Sequence, residues 1–508
     1  MKDFRNEYRQ KLRSPEEAVA VVKDGDWIDY TSCLGKPILL DRALAKRRDE
    51  LHDVKIRGNL MAGPIAVAEC DETQEHFVYH SWHCSAYERR LCDKGLCYYI
   101  PMVFHNNAAY YEYFLDVNVV MVSVAPMDKH GYFNFSVNTG VAAPIARMAD
   151  IVIVEVNENL PQVRGGYDEC IHISDVDYIV EGEHEPFVNM EALEPTEIDR
   201  QIAKYLIPHI VDGATLQLGI GSMPNALGEI IAKSDLKDLG MHTELCSDAY
   251  LQMYLAGKLT NRQKKLEPGK GVFGCAIGSN ALYEWLDNNP GVAAYPLEYV
   301  NRPSVIAQID NMVSINSCVA VDLYGQVAAE SSGVRQISGT GGQLDFLIGA
   351  SASRGGKAFI CMSSVYVDKD GQKKTPVVLH RAILGSLDRF MAYLIEETKG
   401  KFPTWLAPVQ VKVLPVSEKT LEYSEAITEK LVEAGIRVAL DDDNQKIGYK
   451  IRAAQQVDRV PYMLVLGAKE AEAGNVSVRD RKGETTTMDL DAFIAKVTDE
   501  IKNRTYNN

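Results

Sequence analysis

At 508 residues, 46% hydrophobic and 24% charged, the chain has room for about two to four globular domains, and its formal charge of −16 argues against a nucleic-acid or membrane-surface protein taken as a whole. No apolar run approaches bilayer length and residues 1–11 hold no apolar core, so neither a membrane span nor a secretory signal is expected. The ten cysteines are irregularly spaced, the last being Cys361, which predicts free thiols in a reducing, cytoplasmic setting.

Short β-branched runs recur early, as in Val119-Val-Met-Val-Ser-Val-Ala-Pro126 and Ile151-Val-Ile-Val-Glu-Val156. Such runs suit parallel strands buried on both faces, and helical patterns lie between them, so the fold class is α/β. The carboxylate-rich stretch 191–200 predicts a hinge between a domain over 1–198 and a second over 199–372. The second opens with strand Ala214-Thr-Leu-Gln-Leu218, turn Gly219-Ile-Gly221-Ser222, and a helix with Ala226, Leu227, Ile230 and Ile231 on one face. Pro224 falls in that helix's first turn, where a missing N–H costs little.

Two bare glycine loops in this region suggest chemistry. Gly219 and Gly221 follow a strand, where backbone N–H groups and a helix dipole can hold phosphate, although a tight turn alone also selects glycine. Ser338-Gly-Thr-Gly341-Gly342-Gln-Leu-Asp345 is the second loop, and Glu244 lies between the two in sequence. A desolvated carboxylate can attack a thioester where fixed donors hold the developing oxyanion. His80-Ser-Trp-His83-Cys84 looks like a metal-binding fragment, but no partner pair follows at a plausible distance, so structural histidines and no metal are expected.

Near residue 372 the character of the sequence changes. Residues 399–508 hold about 17 Lys+Arg and 17 Asp+Glu, leaving the whole negative surplus upstream. Here Val409-Gln-Val-Lys-Val413 alternates like a half-exposed strand, and 418–434 predicts a helix with Ile427, Leu431 and Ala434 aligned, stopped by Gly435. Strands at 436–440 and 461–466 and a final helix carrying Phe493, Ile494, Val497 and Ile501 complete a self-contained α/β domain.

Gly219-Ile-Gly-Ser-Met-Pro-Asn225, His242-Thr-Glu244-Leu-Cys-Ser-Asp248, Tyr299-Val-Asn301-Arg-Pro303 and Gly339-Thr-Gly-Gly342-Gln-Leu-Asp-Phe346 occur in order. With 93–101 and 126–136 upstream, residues 1 to about 370 resemble the acetyl-CoA hydrolase/transferase branch of the family I CoA-transferases. The resemblance implies CoA transfer between a short-chain acyl-CoA and a carboxylic acid, through a thioester on Glu244. It places Asn301 and the Gly342 N–H at oxyanion positions, and Gly219, Gly221, Gly341 and Gly342 against the CoA substrate. It implies no permanently bound cofactor and no metal, and a homo-oligomer. Further strands and helices that such enzymes carry after about 371 are absent, so an incomplete second domain with exposed strand edges and apolar helix faces is expected. Acyl selectivity, and transfer against hydrolysis, stay open at this level.

From 376 onward the chain resembles the C-terminal end of threonyl-tRNA synthetase, on Phe402-Pro-Thr-Trp-Leu-Ala-Pro-Val-Gln410, Asn444-Gln-Lys-Ile-Gly-Tyr-Lys450 and Val460-Pro-Tyr-Met-Leu464. This implies a segment of the class II third motif over 373–398, with His380 and Arg389 as relics, and an anticodon-binding-like domain over 399–508. Asn444, Arg459, Glu470 and Arg479 match positions that read anticodon bases, with weak tRNA binding as the implied partner call. The chain is therefore chimera-like. The alternative function is a tRNA anticodon-binding protein with an inactive first part.

Overall fold

The computed structural model describes residues 3–506 apart from 183, 191–193, 323, 365, 368–371 and 375–386. It divides into two units, Met1–His380 and Arg381–Asn508.

Buried β-branched runs build the first sheet of the first unit. Strands β1 (Leu12–Arg13), β2 (Trp27–Asp29), β3 (Val54–Gly58), β4 (Phe77–Ser81), β5 (Tyr98–Tyr99), β6 (Val119–Val124), β7 (Ile151–Val156) and β8 (Tyr178–Glu181) pair in the order β1-β8-β7-β6-β2-β3-β4-β5. Every pairing is parallel. All of β6 and nearly all of β7 is buried, as strands covered by helices on both faces require.

A second parallel sheet starts where the sequence predicts a new cycle. Its strands are β9 (Thr215–Leu218), β10 (Gly240–Cys246), β11 (Gly271–Ala276), β12 (Val292–Ala294), β13 (Met312–Ser317) and β14 (Lys357–Cys361), in the order β12-β11-β10-β9-β13-β14. The chain runs outward from β9 to β12, then returns to the other side of β9. That reversal opens a crevice beyond the C-terminal ends of β9 and β13, the usual place for ligands in such sheets. The helix Ser222–Lys233 after β9 buries Ala226, Leu227 and Ile231, while Ile230 is only partly covered.

Part of the expected hinge is helix. Thr196 and Asp199 form a capping box that starts Glu197–Leu206, because the Thr196 hydroxyl accepts the Asp199 N–H and the Asp199 carboxylate accepts the Thr196 N–H. Residues 191–193 lie outside the described residues. Among the described residues β14 pairs on one side only, with β13. On the neighbouring helix Gln343–Ala352, Leu344 and Ile348 are 48% and 50% exposed.

In the second unit β15 (Val411–Pro415), β16 (Val438–Leu440), β17 (Tyr462–Leu466), β18 (Asn475–Asp480) and β19 (Thr485–Asp489) pair in the order β16-β15-β17-β18-β19. The half-exposed strand expected at 409–413 instead begins at Val411 and is an interior strand: β16 and β17 flank it, and only Lys412 of its five residues is not buried. Helices Leu421–Glu433 and Leu490–Lys502 cover the sheet with Ile427, Leu431, Phe493 and Val497, whereas Ala434 is exposed beside Gly435 at φ 78°. His380 lies outside the described residues, as does the side chain of Arg389.

Candidate active site

Glu244 sits near the C-terminal end of β10, on a strand otherwise buried along its length. Asn301 reaches it because of the local sequence. Pro303 opens a short helix and holds Arg302 extended, so the preceding turn ends at Asn301, whose N–H bonds back to the Leu297 carbonyl at 2.8 Å. The fully buried Asn301 side chain then donates from Nδ2 to Glu244 Oε2 at 2.5 Å. His242, two residues before Glu244 on the same strand, bonds from Nε2 to the Val300 carbonyl at 2.8 Å and pins this turn. Burial lowers the His242 pKa to about 3, so its ring is neutral and Nε2–H is the donor.

The third component is the loop 338–342. Gly341 adopts φ 53°, a left-handed conformation that costs glycine least, and this turns the Gly342 N–H onto the Glu244 carboxylate. Gly342 caps the ten-residue helix Gln343–Ala352, so the carboxylate lies at a helix N-terminus. A side chain at 342 has no room: a Cβ there would overlap Asn301 Nδ2 and Glu244 Oε2. The first domain holds this loop in place. Tyr99 Oη accepts the Thr340 N–H at 2.9 Å, the Cys84 N–H donates to the Ser338 carbonyl at 3.2 Å, and the Phe104 N–H donates to the Gly341 carbonyl at 3.3 Å.

Burial raises the Glu244 carboxyl from 4.5 to about 7; the Asn301 and Gly342 donors pull it down, and the Asp345 charge pushes it further up. Asp345 is fully buried on the first turn of the same helix, and burial raises its carboxyl too. His105 of the first domain pairs with it, Nδ1 to Oδ1 at 2.6 Å, with its N–H on Oδ2 at 3.2 Å. Thus the line His105–Asp345–Asn301–Glu244 joins both domains through one set of contacts.

Sequence reasoning named Glu244, Asn301, Gly341 and Gly342, and the fold brings these four together. Gly219 and Gly221 stand at the same edge of the sheet rather than on the carboxylate. Gly219 follows β9, which pairs with β10, and its nearest neighbours are Ile315 and Asn316 of β13, at the crevice where strand order reverses. Gly221 is exposed at φ 117° and begins the helix Ser222–Lys233. His105 and His242 had no assigned role, and His83 was expected to be structural. His83 packs beside Gly341, and burial holds its pKa at about 4. The loop after β2 was also missed: Thr31 and Cys33 have φ 60° and 54°, and Cys33 packs on Leu245. Left-handed non-glycine residues leave no signature in sequence.

The four positions matched to anticodon reading are dispersed. Arg479 pairs across from Met463 and, with Arg459, lies by the start of β17, whereas Glu470 lies beyond its end. Arg459 and Asn444 are exposed. The Glu470 carboxylate accepts the Gly467 N–H at 2.9 Å and thereby caps its own helix.

Comparison with known proteins gives three domain matches: the acetyl-CoA hydrolase/transferase N-terminal domain over residues 1–190, the acetyl-CoA hydrolase/transferase C-terminal domain over 278–397, and an anticodon binding domain over 410–500. The second match reaches past residue 372. The chain is 45% identical over 401 residues to the butyryl-CoA:acetate CoA-transferase of Anaerostipes caccae, covering 78% of this chain and 90% of that protein. RipA from Yersinia pestis superposes with a TM-score of 0.68 at 33% identity, covering 74% of this chain and 86% of RipA. Towards its C-terminal end the chain is 55% identical over 137 residues to the threonine–tRNA ligase of Caldanaerobacter subterraneus, which is 27% of this chain and 21% of the ligase.

Proposed function

Because the chain belongs to the acetyl-CoA hydrolase/transferase family and is a CoA-transferase, with an anticodon-binding domain appended, we propose that it moves coenzyme A between a short-chain acyl-CoA and a carboxylic acid through a thioester on Glu244. The observation that carries this reading is the Glu244 carboxylate, held by the Asn301 amide and the Gly342 N–H at a helix N-terminus.

In the first step a Glu244 oxygen attacks the thioester carbonyl carbon. The carbon–sulfur bond breaks and CoA leaves as thiolate, giving an acyl–glutamyl anhydride. The thiolate then adds to the Glu244 carbonyl carbon and expels the donor acid as carboxylate. Asn301 Nδ2 already sits on the oxygen that becomes negative in this second addition, so no reorganisation is needed. An acceptor carboxylate reverses both steps, and the carboxylate of Glu244 returns. No water is consumed, and coenzyme A thioesters are substrates, so no permanent cofactor is required. The crevice beside Gly219 and Gly221 is the proposed place for the CoA chain. A homo-oligomer in the cytoplasm is part of the same reading, and all ten cysteines are free thiols, which suits a reducing compartment.

The direct test supplies butyryl-CoA with isotopically labelled acetate. Labelled acetyl-CoA should form with no matching release of free CoA. Free CoA accumulating without labelled acetyl-CoA would establish hydrolysis and defeat the transfer reading.

The pH profile follows from the Glu244 environment. The nucleophile is the carboxylate, so kcat/KM for the acyl-CoA donor should rise about tenfold per pH unit on the acid side and level off near pH 7. Between 4.5 and about 7 the folded chain keeps a proton that the unfolded chain has lost, so this group's contribution to stability falls as pH rises through that window. Asp345→Asn should move the acid limb to lower pH, because the Asp345 charge helps hold the Glu244 pKa up. A rate loss with an unmoved limb would show that Asp345 only shapes the helix.

The second unit favours a separable reading, weak tRNA binding, on its match to an anticodon binding domain. Its near-zero net charge gives little general attraction to phosphate.

A further inference from the structure

Behind the glycine loop lies a group of side chains that the transfer chemistry does not use. Cys84, Cys92 and Cys97 point their sulfurs at one another, with all three Sγ atoms within 4.8 Å. Cys84 and Cys97 are buried, and Cys92 is half-buried. The Cys84 and Cys92 sulfurs are 3.7 Å apart, and the Cys97 sulfur lies within 4.8 Å of both. Two thiolates on one tetrahedral ion with bonds of about 2.3 Å stand about 3.8 Å apart, so this spacing is the edge of a tetrahedral thiolate site. One chain segment supplies all three: Cys84 precedes the helix Ala86–Asp93, Cys92 lies in its last turn, and Gly95, at φ 75°, turns the chain back to Cys97.

We propose that Cys84, Cys92 and Cys97 bind a zinc ion as three thiolates, with the fourth position open to water on the Cys92 side. Three sulfurs and no oxygen ligand select a borderline-soft ion over calcium or magnesium. The site is structural. Its segment bonds to the active-site loop through the Cys84 N–H on the Ser338 carbonyl, and to the approach of that loop through a paired Asp93–Arg335 contact at 2.6 and 2.8 Å. A filled site therefore stiffens the wall behind Gly341 and Gly342. This departs from the expectation of no metal, which looked for partners to His80 and His83. Those rings are engaged elsewhere, His80 between Trp27 and Tyr98 and His83 beside Gly341.

The test uses the full chain, reduced and stripped with a chelator, then titrated with Co(II) alone. One equivalent should produce thiolate-to-cobalt charge-transfer absorption in the near ultraviolet and tetrahedral d–d bands in the red. Zn(II) should abolish both and protect three thiols from alkylation, identified by peptide mapping as Cys84, Cys92 and Cys97. Cys92→Ser, at the half-buried position that a hydroxyl tolerates best, should weaken Co(II) binding at least about tenfold, since changing mere outer-shell partners already costs that much. Absence of charge-transfer bands in the unaltered chain overturns the proposal. So does equal affinity in Cys92→Ser, or a disulfide between any two of the three in protein alkylated at lysis. None of these readouts depends on CoA transfer, so the site and the transferase reading fail separately.

Discussion

Glu244→Ala should abolish CoA transfer, with a rate loss of roughly 10⁴- to 10⁶-fold, the scale on which removal of a covalent nucleophile acts. The accompanying signature is chemical. Incubation with acetyl-CoA or succinyl-CoA should leave a CoA-sized adduct on the peptide containing Glu244, found by mass spectrometry and missing in the variant. The fold should survive, because the lost group is a carboxylate whose ionised form burial already penalises. Glu244→Gln separates chemistry from packing, since it keeps a hydrogen-bonding group of the same shape against Asn301 but has no carboxylate to attack a thioester. Either variant turning over near the unaltered rate, or forming the adduct, would remove Glu244 from the mechanism.

Gly342→Ala should cost about 10³-fold in turnover while leaving a folded protein. The backbone at 342 has φ −105° and ψ 8°, which alanine adopts without strain, so the effect cannot come from conformation. It comes from space: the added methyl overlaps Asn301 Nδ2 and Glu244 Oε2 and must push one or both away. Losing an aligned oxyanion donor costs about 10²- to 10³-fold, and moving a reacting group by about 1 Å costs about 10²-fold. Overpacking itself should destabilise by about 1–3 kcal/mol. Steady-state kinetics beside a thermal melt check both parts. A rate within tenfold of the unaltered protein would mean that the Gly342 N–H and the neighbouring carboxylate do not act together in turnover.

Asn301-Arg-Pro303 shows how sequence and structure share the information. Proline at 303 announces a break, but that break brings Asn301 onto Glu244 only where His242, on the Glu244 strand, bonds to the Val300 carbonyl and holds the turn. Asp345 was visible as a residue of the glycine loop, yet nothing in its own neighbourhood indicates that His105, 240 positions away in the chain, meets its carboxylate at 2.6 Å. The cysteines behave alike. Cys84, Cys92 and Cys97 have no recognised metal spacing, and a helix with a glycine turn brings their sulfurs together. In the second unit, alternation at 409–413 suggested a half-exposed strand, but neighbours on both edges and helices over the sheet put that strand in the interior of the sheet.

The sequence by itself determined the α/β class, the buried parallel strands, the two glycine loops and the change of character near 372, because each rests on local periodicity or turn chemistry that a few adjacent residues carry. Resemblance to a known family, carried by motifs that occur in order, marked Glu244, Asn301, Gly341 and Gly342. Tertiary structure alone decided which of these groups touch, how far Glu244 is lifted toward neutrality, that His105 meets Asp345, that His242 pins the Asn301 turn, and that three cysteine sulfurs converge. Those properties depend on desolvation and on distances between segments far apart in the chain, and both come into existence only when the two parallel sheets pack together.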